Sequence, residues 1–158
     1  MVLEASLILS AQSIKLRMRD RISPWSEQTN SHGMSYGLTC AGYDIRILDT
    51  VEVLAGMGLV LATSIEHINM PKDLKALVCD KSTWIRRGIY VGNTRYEPGW
   101  RGYPTIEIIN CSTRDIIIEK SSPICSLEFH MLDMETEMPY TGKYQDQPQM
   151  PVPAKVDS

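Results

Sequence analysis

The chain has 158 residues, 43% of them hydrophobic and 22% charged, with a formal net charge of -3. That is one domain's worth of protein, able to bury roughly 68–70% of its unfolded surface, and its mild acidity excludes general nucleic-acid binding, so any polyanion it holds must meet a local positive cluster. No apolar run reaches membrane-spanning length, and residues 1–13 lack a basic segment and carry Glu4, so neither a membrane partner nor a secretory signal is expected and the location reads as cytoplasmic.

One region reads as helix, Ser10 to Arg21, where Ile14, Met18 and Arg21 share a face and Ser23-Pro24 ends the pattern. Beyond Ser35 the texture changes to short runs rich in Val, Ile and Tyr: YDIRILDTVEVL, GLVLATSI, LKALVC, GIYVG, TIEIIN, DIIIEK and ICSLEFHML. They alternate with turn signals at Ala55-Gly56, Met70-Pro71, Pro98-Gly99 and Ser122-Pro123. Many short strands so spaced predict a mainly β sandwich, jelly roll or barrel behind a short N-terminal helix. From Pro139 the chain is rich in Pro, Gln and Tyr and reads as a mobile tail. The organisation is therefore a β body over residues 1–138 and a tail over residues 139–158.

Cys40, Cys79, Cys111 and Cys125 are far apart, with no CxxC pair and no His at ligand spacing, and read as buried small hydrophobes. Zinc deaminases carry HxE and PCxxC, whereas Pro123-Ile124-Cys125 has no second Cys. Deamination by this chain would proceed without zinc of that type.

The polar residues among the strands admit two readings each. Lys81, Ser82, Arg86 and Arg87 follow a predicted strand and form either a solvated turn or an anion site of hydroxyl, ammonium and guanidinium donors. Glu107 alternates with Ile106 and Ile108, so it points away from them and faces either solvent or a neighbouring chain. Trp100, after Pro98-Gly99, is either a packed aromatic on a tight turn or a platform for a sugar or base.

Several of these segments together resemble the dCTP deaminase branch of the trimeric dUTPase superfamily. Ala41-Gly42-Tyr43-Asp44-Ile45-Arg46 is similar to its first motif, and Lys81-Ser82-Thr83 stands in the place of an Arg-Ser-Ser. Arg86-Arg87-Gly88 carries the following arginine and glycine, Glu97-Pro98-Gly99-Trp100 with Gly102 replaces Asp-Pro-Gly-Trp and Gly, and Glu107 falls on the general-base glutamate. Tyr140, Lys143 and Gln147 resemble the C-terminal tail that closes over the triphosphate.

The resemblance implies a distorted jelly roll, the dUTPase-like β-clip, assembled as a homotrimer with sites between subunits. It implies deamination of dCTP, or of a modified or differently phosphorylated deoxycytidine nucleotide, to dUTP and ammonia. Glu107 would shuttle protons, Arg86 would orient it and hold the attacking water, and Ser82 would donate to phosphate or water. Gly92, Asn93 and Thr94 would read the base edge through backbone amides, with Arg95, Thr105 and Ile106 lining the substrate. Glu97 would sit on the sugar side and Trp100 beneath the deoxyribose. Lys81, Tyr140, Lys143 and Gln147 would meet the phosphates, with Mg²⁺ bridging their oxygens and no protein metal cage, and Thr83 would bind substrate.

The stretch between Gly88 and Glu97 holds eight residues, Ile89 to Tyr96, shorter than in most deaminases and the length of the matching dUTPase hairpin. Lys81 for Arg and Glu97 for Asp are further departures. Three readings follow: a dCTP deaminase; a dUTP diphosphatase or bifunctional enzyme with Glu97 activating water; and a non-catalytic nucleotide-binding regulator. The compact chain and its departures from cellular versions fit a phage or other mobile-element origin, which would put it in the host cytoplasm.

Overall fold

The computed structural model describes residues 7–156. The chain opens with α1 (Ala11–Met18), β1 (Ile22–Ser23), β2 (Thr29–Ser31), β3 (Met34–Leu38) and β4 (Tyr43–Arg46). It continues through β5 (Val51–Val53), β6 (Gly58–Thr63), β7 (His67–Asn69), β8 (Leu74–Asp80), α2 (Ser82–Ile85) and β9 (Ile89–Val91). The last strands are β10 (Arg95–Tyr96), β11 (Arg101–Gly102), β12 (Thr105–Asn110), β13 (Ile116–Ile118) and β14 (Pro123–Met131).

Antiparallel ladders join these strands into a six-stranded sheet in the order β10-β8-β14-β4-β3-β2 and three smaller sheets, β6-β12-β9, β1-β7-β11 and β13-β5. The mainly β fold expected from the alternating runs is thus present. Long strands obey the two-residue period: Ile106 and Ile108 of β12, Leu127 and Phe129 of β14, and Tyr43 and Ile45 of β4 are fully buried in the common core. Arg46 closes β4 by donating its N–H and Nε to the two carboxylate oxygens of Glu66 at 2.9 and 2.8 Å. Glu66 is itself fully buried, and that burial pushes its carboxyl pKa up against the pull of Arg46.

The structure corrects the sequence reading in several places. The helix stops at Met18 and turns to place Ile22 in β1, leaving Ile14 and Met18 buried but Arg21 exposed. A second helix, α2, replaces the expected turn after Asp80, because Trp84 is drawn inside and donates Nε1–H to Pro123 O at 2.7 Å. Four residues are too few to show a helical period. Strands β1, β7, β10 and β11 are two or three residues long; partners distant in sequence make them, not local propensity. Of the cysteines only Cys125 is buried, while Cys40 and Cys111 lie exposed just outside strand ends.

The described part of the tail, residues 139–156, is hydrogen-bonded to the body, which its composition did not announce; residues 157–158 lie outside the described residues. Tyr140 N–H donates to Pro98 O at 2.8 Å, Asp146 N–H to Arg101 O at 2.9 Å and Tyr103 N–H to Gln147 O at 3.0 Å. The Arg101 guanidinium pairs with the Asp146 carboxylate, and Gly102 bridges Gln147 in parallel. Composition concealed this, since the docking uses backbone amides that any residue carries, laid along the open edge of β11.

Gly102 is what lets the tail approach. Its φ is 142°, and a Cβ there would lie 2.6 Å from Gln147 N. Gly102→Ala is expected to release residues 139–156 to faster cleavage in limited proteolysis and to cost roughly 1–3 kcal/mol in denaturant unfolding.

Candidate functional site

Lys81, Ser82 and Thr83 come together as predicted, at a polar pocket of about 350 Å³ between β4, the end of β8 and the β2–β3 turn. Asp44, Asp80 and Ser126 line it with them. The Lys81 ammonium pairs with the Asp44 carboxylate, with side-chain exposures of only 12% and 6%. Lys81 is therefore a brace between β4 and α2 before it is a phosphate ligand. Asp80 accepts the Val91 N–H at 2.8 Å and so ties the same corner to β9. Two carboxylates against one ammonium leave the pocket short of positive charge, and a polyanion entering it would need a cation alongside. Ser82 and Thr83 are exposed at the start of α2.

Arg86 is exposed at the end of α2, and no ion pair among the described residues involves it. Arg87 lies over the Trp84 ring at 4.7 Å. Gly88 O accepts the Cys111 N–H at 2.8 Å, which sets Arg86 near the Cys111 end of β12. Four residues separate that end from Glu107, about 13 Å at the rise of an extended strand. A single chain does not bring the guanidinium and the carboxylate together as an ion pair.

Glu107 sits in the middle strand of the β6-β12-β9 sheet, opposite Leu61. Burial of Ile106 and Ile108 on the core side turns it outward, to a face it shares with Ile109 and with Leu59 and Tyr90, which are 62% and 46% exposed. Its backbone is held at both ends: the N–H donates to Asn93 Oδ1 at 2.8 Å, and the C=O accepts from Gly92 N–H at 2.8 Å. The carboxylate itself has no hydrogen-bond partner among the described residues. Half-burial among aliphatic side chains pushes its pKa up.

The base-reading loop departs from expectation in detail. Gly92 N–H is already spent on Glu107, and Asn93 faces β12, donating Nδ2–H to Thr105 O at 2.7 Å. Thr94 and Arg95 are exposed, and Arg95 pairs with Glu97 at 2.5 Å. Ile106 points into the core, and Thr105 is buried with Oγ1 accepting the Val152 N–H at 3.1 Å.

Within its own chain Trp100 is packed. It is 4% exposed, its ring lies 4.5 Å from Tyr96, and Nε1–H donates to Tyr144 O at 2.8 Å. Tyr140 OH accepts the Tyr144 N–H at 3.1 Å, while Lys143 donates Nζ to Lys155 O. The Gln147 side-chain amide has no hydrogen-bond partner among the described residues, while its backbone bridges Gly102. Trp100, Tyr140, Lys143 and Gln147 thus form one layer around the tail.

The predicted residues fall into three groups in one chain: the Lys81 pocket, the Glu107 face with its loop, and the tail layer. Sequence reasoning left Asp44, Asp80 and Ser126 without a role, although an acid inside Tyr43-Asp44-Ile45 was itself a signal. No group of three or more metal-ligating side chains occurs among the described residues.

The profile of the dCTP deaminase-like family matches residues 50–132, just over half of the chain. The chain belongs to this family. It is 32% identical to the dCTP deaminase of Campylobacter hominis, over 97% of this chain and 96% of that protein, and 29% identical to that of Acidobacterium capsulatum, over 82% and 88%. In three dimensions it resembles the 2′-deoxycytidine 5′-triphosphate deaminase of Agrobacterium tumefaciens, with a TM-score of 0.63, 15% identity, and coverage of 81% of this chain and 50% of that one. The native dUTPase EIAV structure aligns with a TM-score of 0.58 at 12% identity, over 78% of this chain and 97% of that one. These likenesses show the dUTPase-like fold. Among the described residues of this family member, no helix is long and apolar enough to cross a membrane.

Removing the Lys81 ammonium would strand Asp44 in a 6% exposed position. Lys81→Ala is expected to lower stability by about 3 kcal/mol in urea unfolding, a loss that a purely phosphate-contacting lysine would not produce.

Proposed function

We propose that this chain hydrolytically deaminates a deoxycytidine nucleotide, dCTP in the first instance, to dUTP and ammonia, with Glu107 as the proton shuttle and without zinc. The observation that carries this reading is Glu107 itself: an unpartnered carboxylate, raised in pKa by burial, on a strand held at both ends. A structural glutamate at such a place would be paired.

The reaction replaces the exocyclic amine of cytosine with a carbonyl oxygen. Water bonds to C4 as Glu107 takes one of its protons and delivers it to ring N3. The second water proton then moves to the amine, ammonia leaves, and the C4 carbonyl forms. A positioned base of this kind contributes on the order of 10²–10⁴-fold. Thr94, and the N–H groups of Asn93 and Thr94, which donate to no acceptor among the described residues, are the groups of the loop left to meet the base. Ser82 and Thr83 would donate to phosphate, and Gln147, Tyr140 and Lys143 would approach it from the tail. Lys81 acts through Asp44, and Trp100 supports the tail from behind. The donor set fits Mg²⁺ only through substrate oxygens, since Asp44 and Asp80 each already hold a partner; the ion would supply the positive charge the pocket lacks.

Arg86 and Glu107 would meet across two copies of the chain, in a homotrimer. Two observations support this: their separation along β12, and the exposed Leu59 and Tyr90 beside the half-buried Glu107, an apolar surface that a second copy would cover. The dUTP diphosphatase reading is the weaker one, because Arg95 already holds the carboxylate that would have to activate water.

Incubation with dCTP, dCMP, 5-substituted dCTP and dUTP, followed by measurement of ammonia, nucleoside product and pyrophosphate, tests these readings together. Ammonia without pyrophosphate is expected, whereas neither product with retained nucleotide binding would favour a regulator. Glu107→Gln should lower ammonia release at least ~10²-fold while nucleotide still binds; release at the parent rate would sink the assignment. Because a protonated carboxyl cannot accept the water proton, kcat/KM should fall as pH drops through a value above the ordinary carboxylate range, the direction set by burial of Glu107. Analytical ultracentrifugation of Leu59→Asp against the parent chain checks the assembly, the substitution being expected to yield lighter species and to lose activity.

A further inference from the structure

The β9–β12 ladder ends at Val91 opposite Ile108, followed by one more bond from Gly92 N–H to Glu107 O. Past that point the chain leaves β12, and the remaining edge of the strand would present Glu107 N–H and Thr105 C=O with no neighbouring backbone. The Asn93 carboxamide occupies that edge. Its Oδ1 accepts from Glu107 N–H at 2.8 Å and its Nδ2 donates to Thr105 O at 2.7 Å. A primary amide carries a donor and an acceptor side by side, as a peptide unit of an adjacent strand does. Asn93 therefore stands in for the strand residue that the short loop omits. Its Nδ2 also lies 3.5 Å from the hydroxyl of buried Tyr96, which roots the amide in the core.

We infer that Asn93 is a positioning residue for Glu107: its side chain continues the β12 ladder at the open end and so fixes where the Glu107 carboxylate stands. The inference rests on the deaminase reading and refines it. The sequence placed Asn93 among base-reading residues through its backbone amide, a reading that the side-chain bonds leave untouched; the carboxamide itself is engaged with β12 at both ends, so a base contact through the side chain would break the bonds that hold Glu107 in register. The short loop then has a structural cause. With Asn93 turned inward, no longer hairpin is needed to pair the edge of β12, and base recognition is left to Thr94 and to backbone N–H groups.

The test uses the full-length chain and three variants. Asn93→Ala removes both bonds; kcat for ammonia release should fall ~10-fold or more, on the scale of a displaced catalytic group, with KM for dCTP nearly unchanged. Asn93→Asp keeps the acceptor for Glu107 N–H but sets a negative charge close to Glu107, so the acid limb of the pH–rate profile should move to higher pH. Asn93→Ser retains a hydroxyl and should recover part of the lost kcat. Amide hydrogen exchange gives a readout independent of activity: in Asn93→Ala the Glu107 N–H should lose protection while Ile106 and Ile108 keep theirs. A raised KM with kcat intact would make Asn93 a base contact and overturn the inference, as would an unmoved acid limb together with an unchanged Glu107 exchange rate. Should the parent chain release no ammonia while the exchange result holds, the positioning role stands and the deaminase reading falls.

Discussion

The alternation of β12 is the constraint on which the rest of the site depends. Ile106 and Ile108 are fully buried, and a two-residue period allows Glu107 no side but the other one. A slip of one residue would drive the carboxylate into the core and expose two isoleucines, a cost that keeps the register fixed. β6 on one edge and β9 with Gly92 and Asn93 on the other hold the strand in place. The result is a carboxylate with a rigid backbone and a free side chain, which is what a proton shuttle requires and what a structural glutamate avoids.

Against this sits a corner governed by charge pairing. Asp44 from β4 and Lys81 from the end of β8 are both largely buried and satisfy each other, and Asp80 fastens the same corner to β9. The pocket above them keeps hydroxyls but little unpaired positive charge. Glu107 and the Lys81 pocket are thus built on different sheets of the same chain.

The tail adds a third layer. Its backbone lies along β11, and Trp100 is sealed beneath it with its indole N–H on Tyr144. An aromatic that reads in sequence as a sugar platform is, in the folded chain, the floor on which the tail rests. Side chains such as Gln147 project from a segment held to the body by its own backbone.

Much of this was legible in the sequence where local pattern carries the information. The runs rich in Val, Ile and Tyr marked β4, β6, β8, β12 and β14, the Ile14–Met18 face marked α1, and Glu107 between two isoleucines announced its own outward direction. The order of polar motifs along the chain pointed to the family before any coordinates. Only the tertiary structure decided the rest: that Lys81 spends its charge on Asp44, that the Asn93 side chain bonds to the β12 backbone, that Trp100 is buried, that residues 139–156 are docked, and that Arg86 and Glu107 form no ion pair within one chain. Each of these is a contact between segments far apart in sequence or a choice of side-chain direction in an irregular loop. Periodicity reports which face of a strand is apolar; it carries no record of which distant partner closes a given donor, acceptor or charge.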